Sequence, residues 1–375
     1  MKKICFVLTA EFAVSAFMVQ HLKKLSEKFD VTVIVNTNNP NFLNSLGISG
    51  HLIPLEITRE ISLKRDFSAL LKLINIFRVK KFDAVHTVTP KAGLLGILAA
   101  FLNFVPLRVH TFTGQVWANK EGFKKILLKA IDKFIGMLST FTIIDSKSQQ
   151  DFLVDQKILC FEKSIVFGSG SVSGVDLKKF KANKKIRTEV RSNLSIPDDG
   201  FVFIYLGRLN KDKGVLDLAI AFSSICDDKA YLLVVGPDEA NFAMQMQDLS
   251  AVNKDRVRFV GLSREPNRYL AASDVLCLPS YREGFGSVVI EAAAIGVPAI
   301  VSNIYGLSDA VQNKITGLLH QPKDPKAILG CMNFFLLNPI MVKKYGLAAK
   351  KRAVIEFDSN ILSQYWLDFY LSHIH

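Results

Sequence analysis

The chain has 375 residues, 49% of them hydrophobic and 22% charged, with a formal net charge of +13. That length suits two domains of about 180 residues better than one core, and the lack of a low-complexity tract or a repeat of roughly 20 to 50 residues excludes disordered and solenoid classes. The five cysteines, Cys5, Cys160, Cys226, Cys277 and Cys331, form no C-x-x-C pair and no cluster with histidine, so a reducing, cytoplasmic setting without disulfides or a structural zinc is expected.

Met1-Lys2-Lys3 leads into a short apolar run, Ile4–Leu8, that stops before Glu11; this reads as a first strand and not a signal peptide. A helix follows near Ala13–Lys28, then strands at Val31–Val35, Ala84–Thr87 and Arg108–Thr113. Strand-like runs alternating with helical patterns argue for parallel βαβ units. The apolar stretch from Ala92 to Leu107 is interrupted by Asn103 and Pro106 and falls short of the roughly 20 residues a bilayer span requires, so no transmembrane segment is expected. Lys120, Lys124, Lys125, Lys129 and Lys133 interleave with Phe123, Ile126, Leu127, Leu128, Ile131 and Phe134 in a basic amphipathic helix.

The excess charge sits in the first half: residues 1–185 hold 27 Lys and Arg against 14 Asp and Glu, and residues 186–375 hold 20 against 20. Two readings stand, a solvated surface or a patch facing anionic lipid, where each Lys or Arg contributes on the order of 1 kcal/mol. No groove-reading or zinc motif accompanies the charge, so nucleic acid is not the expected partner. Small residues crowd together at Gly168-Ser169-Gly170-Ser171-Val172-Ser173-Gly174-Val175-Asp176, which marks a hinge. The expected domains are 1–178 and 179–357, with a terminal helix at about 358–375 returning to the first. A second alternating series runs through Phe201–Leu206, Tyr231–Val235, Val257–Val260, Val275–Leu278 and Ala299–Val301. The expected fold is α/β, two doubly wound Rossmann-like domains facing across a cleft, with ligand at the strand C-termini.

The most informative run is Glu283-Gly284-Phe285-Gly286-Ser287-Val288-Val289-Ile290-Glu291, with two carboxylates eight residues apart around a glycine turn that opens an apolar helix. If helical throughout, eight residues span roughly 12 Å, so one carboxylate can reach a transferred sugar and the other a ribose. The amides of the first turn face a diphosphate. Arg208 and Lys213, in Gly207-Arg208-Leu209-Asn210-Lys211-Asp212-Lys213-Gly214, lie at a strand C-terminus, where two cations can neutralise a departing diphosphate.

Together, Gly207-Arg208-Leu209, Lys213-Gly214, Val260-Gly261 and Pro279-Ser280-x-x-Glu283-Gly284-Phe285-Gly286 with Glu291-Ala292 resemble the glycosyltransferase family 4 signature on the GT-B fold. The resemblance implies retaining, metal-independent transfer from a nucleotide diphosphate sugar, with no cofactor beyond that co-substrate. It implies that Arg208 and Lys213 hold the diphosphate, Glu283 the sugar and Glu291 the ribose. Phe285, Gly286 and Ser287 would supply backbone donors to the phosphates, Gly207 would lie at the phosphate-facing strand end, and the loop after Gly261 would hold the base. The chain has no Asp-x-Asp motif.

His110 sits at a strand end, like the family's histidine that reaches the donor. His86 occupies a similar strand end, where acceptor contact and core packing are both open, and Glu11 is a further acceptor candidate. Many relatives carry a glycine-rich loop after the first strand, whereas Leu8-Thr9-Ala10-Glu11-Phe12-Ala13-Val14-Ser15 has no glycine. Phe12, Val14 and Phe17 there suit a lipid-bearing acceptor or the core. The glycine-serine hinge is similar to that of bacterial surface-polysaccharide transferases that extend undecaprenyl-diphosphate-linked oligosaccharides. The expectation is therefore a cytoplasmic glycosyltransferase, peripheral at the inner face of the cell membrane, that uses a UDP-sugar, an N-acetylhexosamine among the candidates, on a lipid-linked saccharide. The rivals are a nucleotide-sugar 2-epimerase on the same fold and a non-catalytic nucleotide-sugar or membrane-binding subunit.

Overall fold

The computed structural model describes residues 1–58 and 62–374. The chain divides into two compact units, Met1–Ser173 with Ser359–His375, and Gly174–Asp358. The terminal helix spans Ser359–His373, so the expected end at 375 lies outside the described residues.

The first unit is built on strands β1 (Lys3–Val7), β2 (Asp30–Val35), β3 (His51–Pro54), β4 (Ala84–Val88), β5 (Leu107–Phe112), β6 (Phe141–Ile144) and β7 (Ser164–Ile165). They pair in parallel in the order β3-β2-β1-β4-β5-β6-β7. A parallel sheet is covered on both faces, which is why its central strands read as unbroken apolar runs. In β1, Ile4 and Phe6 join one core with Leu22, Trp366 and Tyr370, while Cys5 and Val7 join another with Leu73, Phe77 and Leu95. This two-residue alternation of strand side chains sets one helical layer on each face. The helix expected over Ala13–Lys28 is two, Glu11–Phe17 and Val19–Ser26, meeting at Met18, whose φ of −116° lies off the helical value.

The terminal helix docks on this sheet through polar groups as well as apolar ones. The buried Trp366 ring lies between His21 and His86, with centroids 4.7 and 4.8 Å away and planes 11° and 13° from parallel. His21 shares hydrogen bonds with Ser363 Oγ (3.0 Å) and Val172 O (2.7 Å).

The second unit carries β8 (Phe201–Leu206), β9 (Ala230–Val235), β10 (Val257–Gly261), β11 (Val275–Leu278), β12 (Ala299–Ser302) and β13 (Gly317–His320), parallel and ordered β10-β9-β8-β11-β12-β13. The order reverses between β8 and β11. In open α/β sheets such a switch point leaves a crevice beyond the strand C-termini, because the flanking connections run to opposite faces. The segments with Arg208, Lys213 and Glu283 follow these two strands. Among the described residues no single helix is long and apolar enough to cross a membrane.

Candidate active site

At the switch point of the second unit, the loop after β8 and the loop after β11 are locked together. Tyr281 N donates to Asp212 O at 2.8 Å, Tyr281 OH donates to Asp217 Oδ2 at 2.7 Å, and Arg282 Nη2 lies 3.5 Å from Asp212 Oδ2. Gly214 has φ +65°, and a Cβ there would stand 2.1 Å from Pro279 O, so the close approach of the two loops requires glycine. The result is an ion pair between Lys213 Nζ and Glu283 Oε1, with Ser280 Oγ donating to the same carboxylate oxygen at 2.8 Å. The side chains of Lys213 and Glu283 keep 19% and 13% exposure, enough to be reached by a ligand at the surface. Arg208 stands nearby on the β8 loop with Nη1 on Glu239 Oε1 at 2.7 Å.

Gly286 caps the helix Ser287–Ile295 in the left-handed conformation, φ +85° and ψ +62°. A Cβ there would lie 2.5 Å from Leu307 Cδ2. The preceding Phe285 is fully buried against Phe357, ring centroids 5.3 Å apart, and anchors the turn. The first-turn amides of a helix have no intrahelical acceptor and carry the positive end of its dipole. Glu291, one turn inside, is partly buried and has no hydrogen-bond or ion-pair partner among the described residues; burial raises its pKa to about 7, opposed by the charge of Lys179. Gly261 closes β10 with φ +75° and an exposed backbone, its carbonyl accepting from Gly236 N at 2.8 Å. Gly207 N in turn donates to Val235 O at 2.9 Å. The second unit thus gathers Gly207, Arg208, Lys213, Gly261, Glu283, Phe285, Gly286, Ser287 and Glu291 on the loops and helix start beyond one sheet edge.

The first unit encloses both candidate histidines. His110 is only 1% exposed. It shares a hydrogen bond with Thr87 Oγ1 at 2.8 Å, sets its ring on Phe112, and lies so close under Gly93 that a Cβ there would be 2.5 Å from Cε1. Burial lowers its pKa to about 3, so the ring is neutral. His86 is wholly buried, with both nitrogens occupied by Tyr370 OH and Thr111 Oγ1 at 2.6 Å each. Of its two readings, core packing is the one the geometry takes. A strand-end histidine in a parallel sheet points into a helical layer as readily as toward ligand, and sequence position does not separate the two. Glu11 opens the helix after β1 and accepts from Thr37 Oγ1, at the same strand edge as the partly exposed Thr9, Thr89 and Thr113. Phe12 is 74% exposed, whereas Val14 is core.

Sequence reading also missed Glu239 and Asn210. The Glu239 carboxylate accepts from both Arg208 and Asn210, a contact between loops of different strands that no local motif signals. Among the described residues, no group of three or more His, Cys, Asp or Glu is placed to hold a metal ion.

The family model for glycosyl transferases group 1 matches residues 186–352, and the model described as glycosyl transferase 4-like matches residues 3–142. The chain is 33% identical to the capsular polysaccharide biosynthesis glycosyltransferase CapM of Staphylococcus aureus over 317 residues, covering 83% of this chain and 82% of that one. The chain belongs to the group 1 glycosyl transferases. This glycosyltransferase is also 29% identical, over 82% of its length and 80% of the relative's, to the UDP-Gal:alpha-D-GlcNAc-diphosphoundecaprenol alpha-1,3-galactosyltransferase of Escherichia coli. Its fold matches that of the Anabaena protein HepE, solved in complex with UDP and glucose, with a TM-score of 0.85 at 18% identity over 99% of this chain and all of the other. The two parallel-sheet α/β units of the glycosyltransferase are therefore those of the GT-B fold.

Proposed function

We propose that this glycosyltransferase moves a sugar from a UDP-sugar to a membrane lipid-linked saccharide in surface-polysaccharide assembly, with retention at the anomeric carbon and without a metal. The observation that carries the reading is the arrangement at the switch point of the second unit: Lys213 paired with Glu283, Arg208 on the same β8 loop paired with Glu239, and the amide end of the helix Ser287–Ile295 following Glu283 in the chain. Two cations and a helix start suit a diphosphate, and the carboxylates of Glu283 and Glu291 suit the hydroxyls of sugar and ribose. The Escherichia coli relative, whose name gives a diphosphoundecaprenol-linked sugar as its acceptor, supports the lipid-linked acceptor.

In the proposed reaction the donor C1–O bond breaks as the diphosphate leaves, and Arg208 and Lys213 stabilise the negative charge that grows on it. The acceptor oxygen bonds to C1 on the same face, and its proton passes to the departing phosphate oxygen. Glu283 holds the sugar by its hydroxyls. Glu11 remains the proposed acceptor contact of the first unit and His110 its proposed donor contact, whereas both nitrogens of His86 are taken up in the core.

A membrane surface is the proposed setting. On the basic helix Gly122–Leu138, Phe123, Ile126, Phe134 and Met137 are exposed, while Asp132 on the inner side accepts from Trp117 Nε1 at 2.7 Å. A second stripe, Leu63, Phe67 and Leu71, lines the helix Leu63–Lys80 beside Lys64, Arg65 and Lys72. Apolar side chains flanked by lysine and arginine suit the interface of an anionic bilayer. The chain would work as a peripheral protein on the cytoplasmic face.

The test is UDP binding by calorimetry and sugar transfer for wild type, Arg208→Ala, Lys213→Ala and Glu283→Ala. The proposal expects UDP to bind in preference to GDP and ADP, and each variant to lose transfer by about 100-fold or more while remaining folded. Near-normal transfer in all three variants would refute the site.

A further inference from the structure

Arg208 does not stand alone at the end of β8. The turn Pro237-Asp238-Glu239 after the neighbouring β9 is fastened from both sides. Asp238 accepts from Ala240 N, Phe242 N and Ala243 N at 3.2, 2.9 and 3.0 Å, which fixes the turn on the helix Phe242–Leu249. Leu209 N donates to Pro237 O at 2.8 Å, and Glu239 N donates to Leu209 O at 3.3 Å. The strand ends beneath approach so closely that a Cβ on Gly236 would lie 1.8 Å from Gly207 O. The backbone of this turn is therefore held in one register against the β8 loop.

From that fixed backbone the Glu239 carboxylate reaches two side chains of the β8 loop. Oε1 accepts from Arg208 Nη1 at 2.7 Å, and Oε2 accepts from Asn210 Nδ2 at 2.8 Å. Asn210 precedes the turn Lys211–Lys213 that carries Lys213, and its Oδ1 is buried without a hydrogen-bond partner. A guanidinium offers five N–H donors in a rigid plane, so a carboxylate on one nitrogen fixes the plane and leaves other donors for a ligand. Flexible arginines lose rotamer freedom on binding; one held beforehand loses less.

We infer that Glu239 is a positioning residue for the donor diphosphate. It holds the Arg208 plane and, through Asn210, the turn of Lys213, so that both cations are set before UDP-sugar arrives. This rests on the proposed donor site. Glu239 itself does not touch the reacting atoms. Its negative charge costs some attraction for the diphosphate, and the gain in orientation outweighs that cost because Arg208 and Glu239 are each more than a third exposed, at 38% and 39%, where water screens simple charge effects.

The experiment measures UDP affinity and steady-state transfer for wild type, Glu239→Ala, Glu239→Gln, Arg208→Ala and the double variant Arg208→Ala/Glu239→Ala. Glu239→Ala is expected to weaken UDP about ten-fold, the scale of one charge-assisted hydrogen bond, and to lower kcat as well as raise KM. Glu239→Gln is expected to recover most of that loss: its amide oxygen still accepts from Arg208, and its NH2 can donate to Asn210 Oδ1 once that amide turns over. In the Arg208→Ala background only the contact through Asn210 remains, so Glu239→Ala should add clearly less than that ten-fold. UDP binding by Glu239→Ala equal to or tighter than wild type overturns the inference, as does an undiminished effect in the Arg208→Ala background. If Arg208→Ala itself binds UDP like wild type, the donor-site reading fails and the inference falls with it.

Discussion

Acid should loosen the first unit through the histidines around its terminal helix. His21 has its pKa lowered from 6.5 to about 4 by burial, opposed by its bond to Val172 O, and His110 is lowered to about 3 by burial. His86 is pushed well below its ordinary value by burial and by its histidine neighbours. Between the folded and the unfolded pKa the unfolded chain binds more protons, so stability falls as pH drops below about 6.5. At about pH 5, His21 and His110 each cost about 2 kcal/mol relative to about pH 7.5, against a total of about 5–15 kcal/mol for an ordinary domain. Asp132 runs the other way: burial raises its pKa to about 7, the Trp117 bond opposing, so it contributes stability at acid pH that is lost as pH rises toward about 7. These opposed trends partly cancel in wild type, and the clean quantity is a difference between variants. Both tryptophans, Trp117 and Trp366, lie in the first unit, so their fluorescence reports its unfolding in urea. His21→Gln is expected to be less stable than wild type at about pH 7.5 and to close that gap by about 2 kcal/mol at about pH 5. An equal gap at both pH values would refute the reasoning, because the proton linkage would then not reside at His21.

Glu291 should make donor binding pH-dependent: its raised pKa of about 7 leaves it increasingly protonated below neutrality. UDP affinity is expected to rise between about pH 6 and pH 8 as the carboxylate becomes an acceptor for ribose hydroxyls, and calorimetry should show that trend abolished in Glu291→Gln. Gly286→Ala combines a left-handed backbone with the contact to Leu307 Cδ2, and should lower stability by about 1–3 kcal/mol in a urea titration and weaken UDP. For the membrane surface, co-sedimentation with vesicles of anionic and neutral lipid is the check. Phe123→Glu/Ile126→Glu should abolish binding to anionic vesicles, and loss of binding at high salt in wild type should mark the lysine contribution.

The central strands were legible because a parallel sheet covered on both faces demands continuous β-branched and apolar residues, as in Phe201–Leu206 and Val275–Leu278, where expected and observed bounds coincide. The break at Met18 was not legible: Glu11–Ser26 keeps a helical pattern throughout, and only the packing of two short helices reveals the turn. The loops that carry Arg208, Lys213 and Glu283 could be placed at strand ends because their pattern is local: glycines that permit close approach, cations at a strand end and two carboxylates on one short run. What escaped was relational. His110 and His86 look alike along the chain, yet each is enclosed by residues from other elements: Gly93 lies against His110, and Thr111, Trp366 and Tyr370 surround His86. Glu239 carries no motif, and gains its meaning only from lying across from Arg208 and Asn210. Leu63, Phe67 and Leu71, which drew no attention along the chain, face outward on one helix.

The measurement that tests the account most directly is the anomeric configuration of the product, read by NMR after incubation of the purified chain with UDP-sugars and an undecaprenyl-diphosphate-linked saccharide, with and without EDTA. The account predicts a new glycosidic bond in the same anomeric configuration as the donor, formed equally in EDTA and lost in Lys213→Ala. A product of inverted configuration, an epimerised UDP-sugar without transfer, or transfer that stops in EDTA would contradict it.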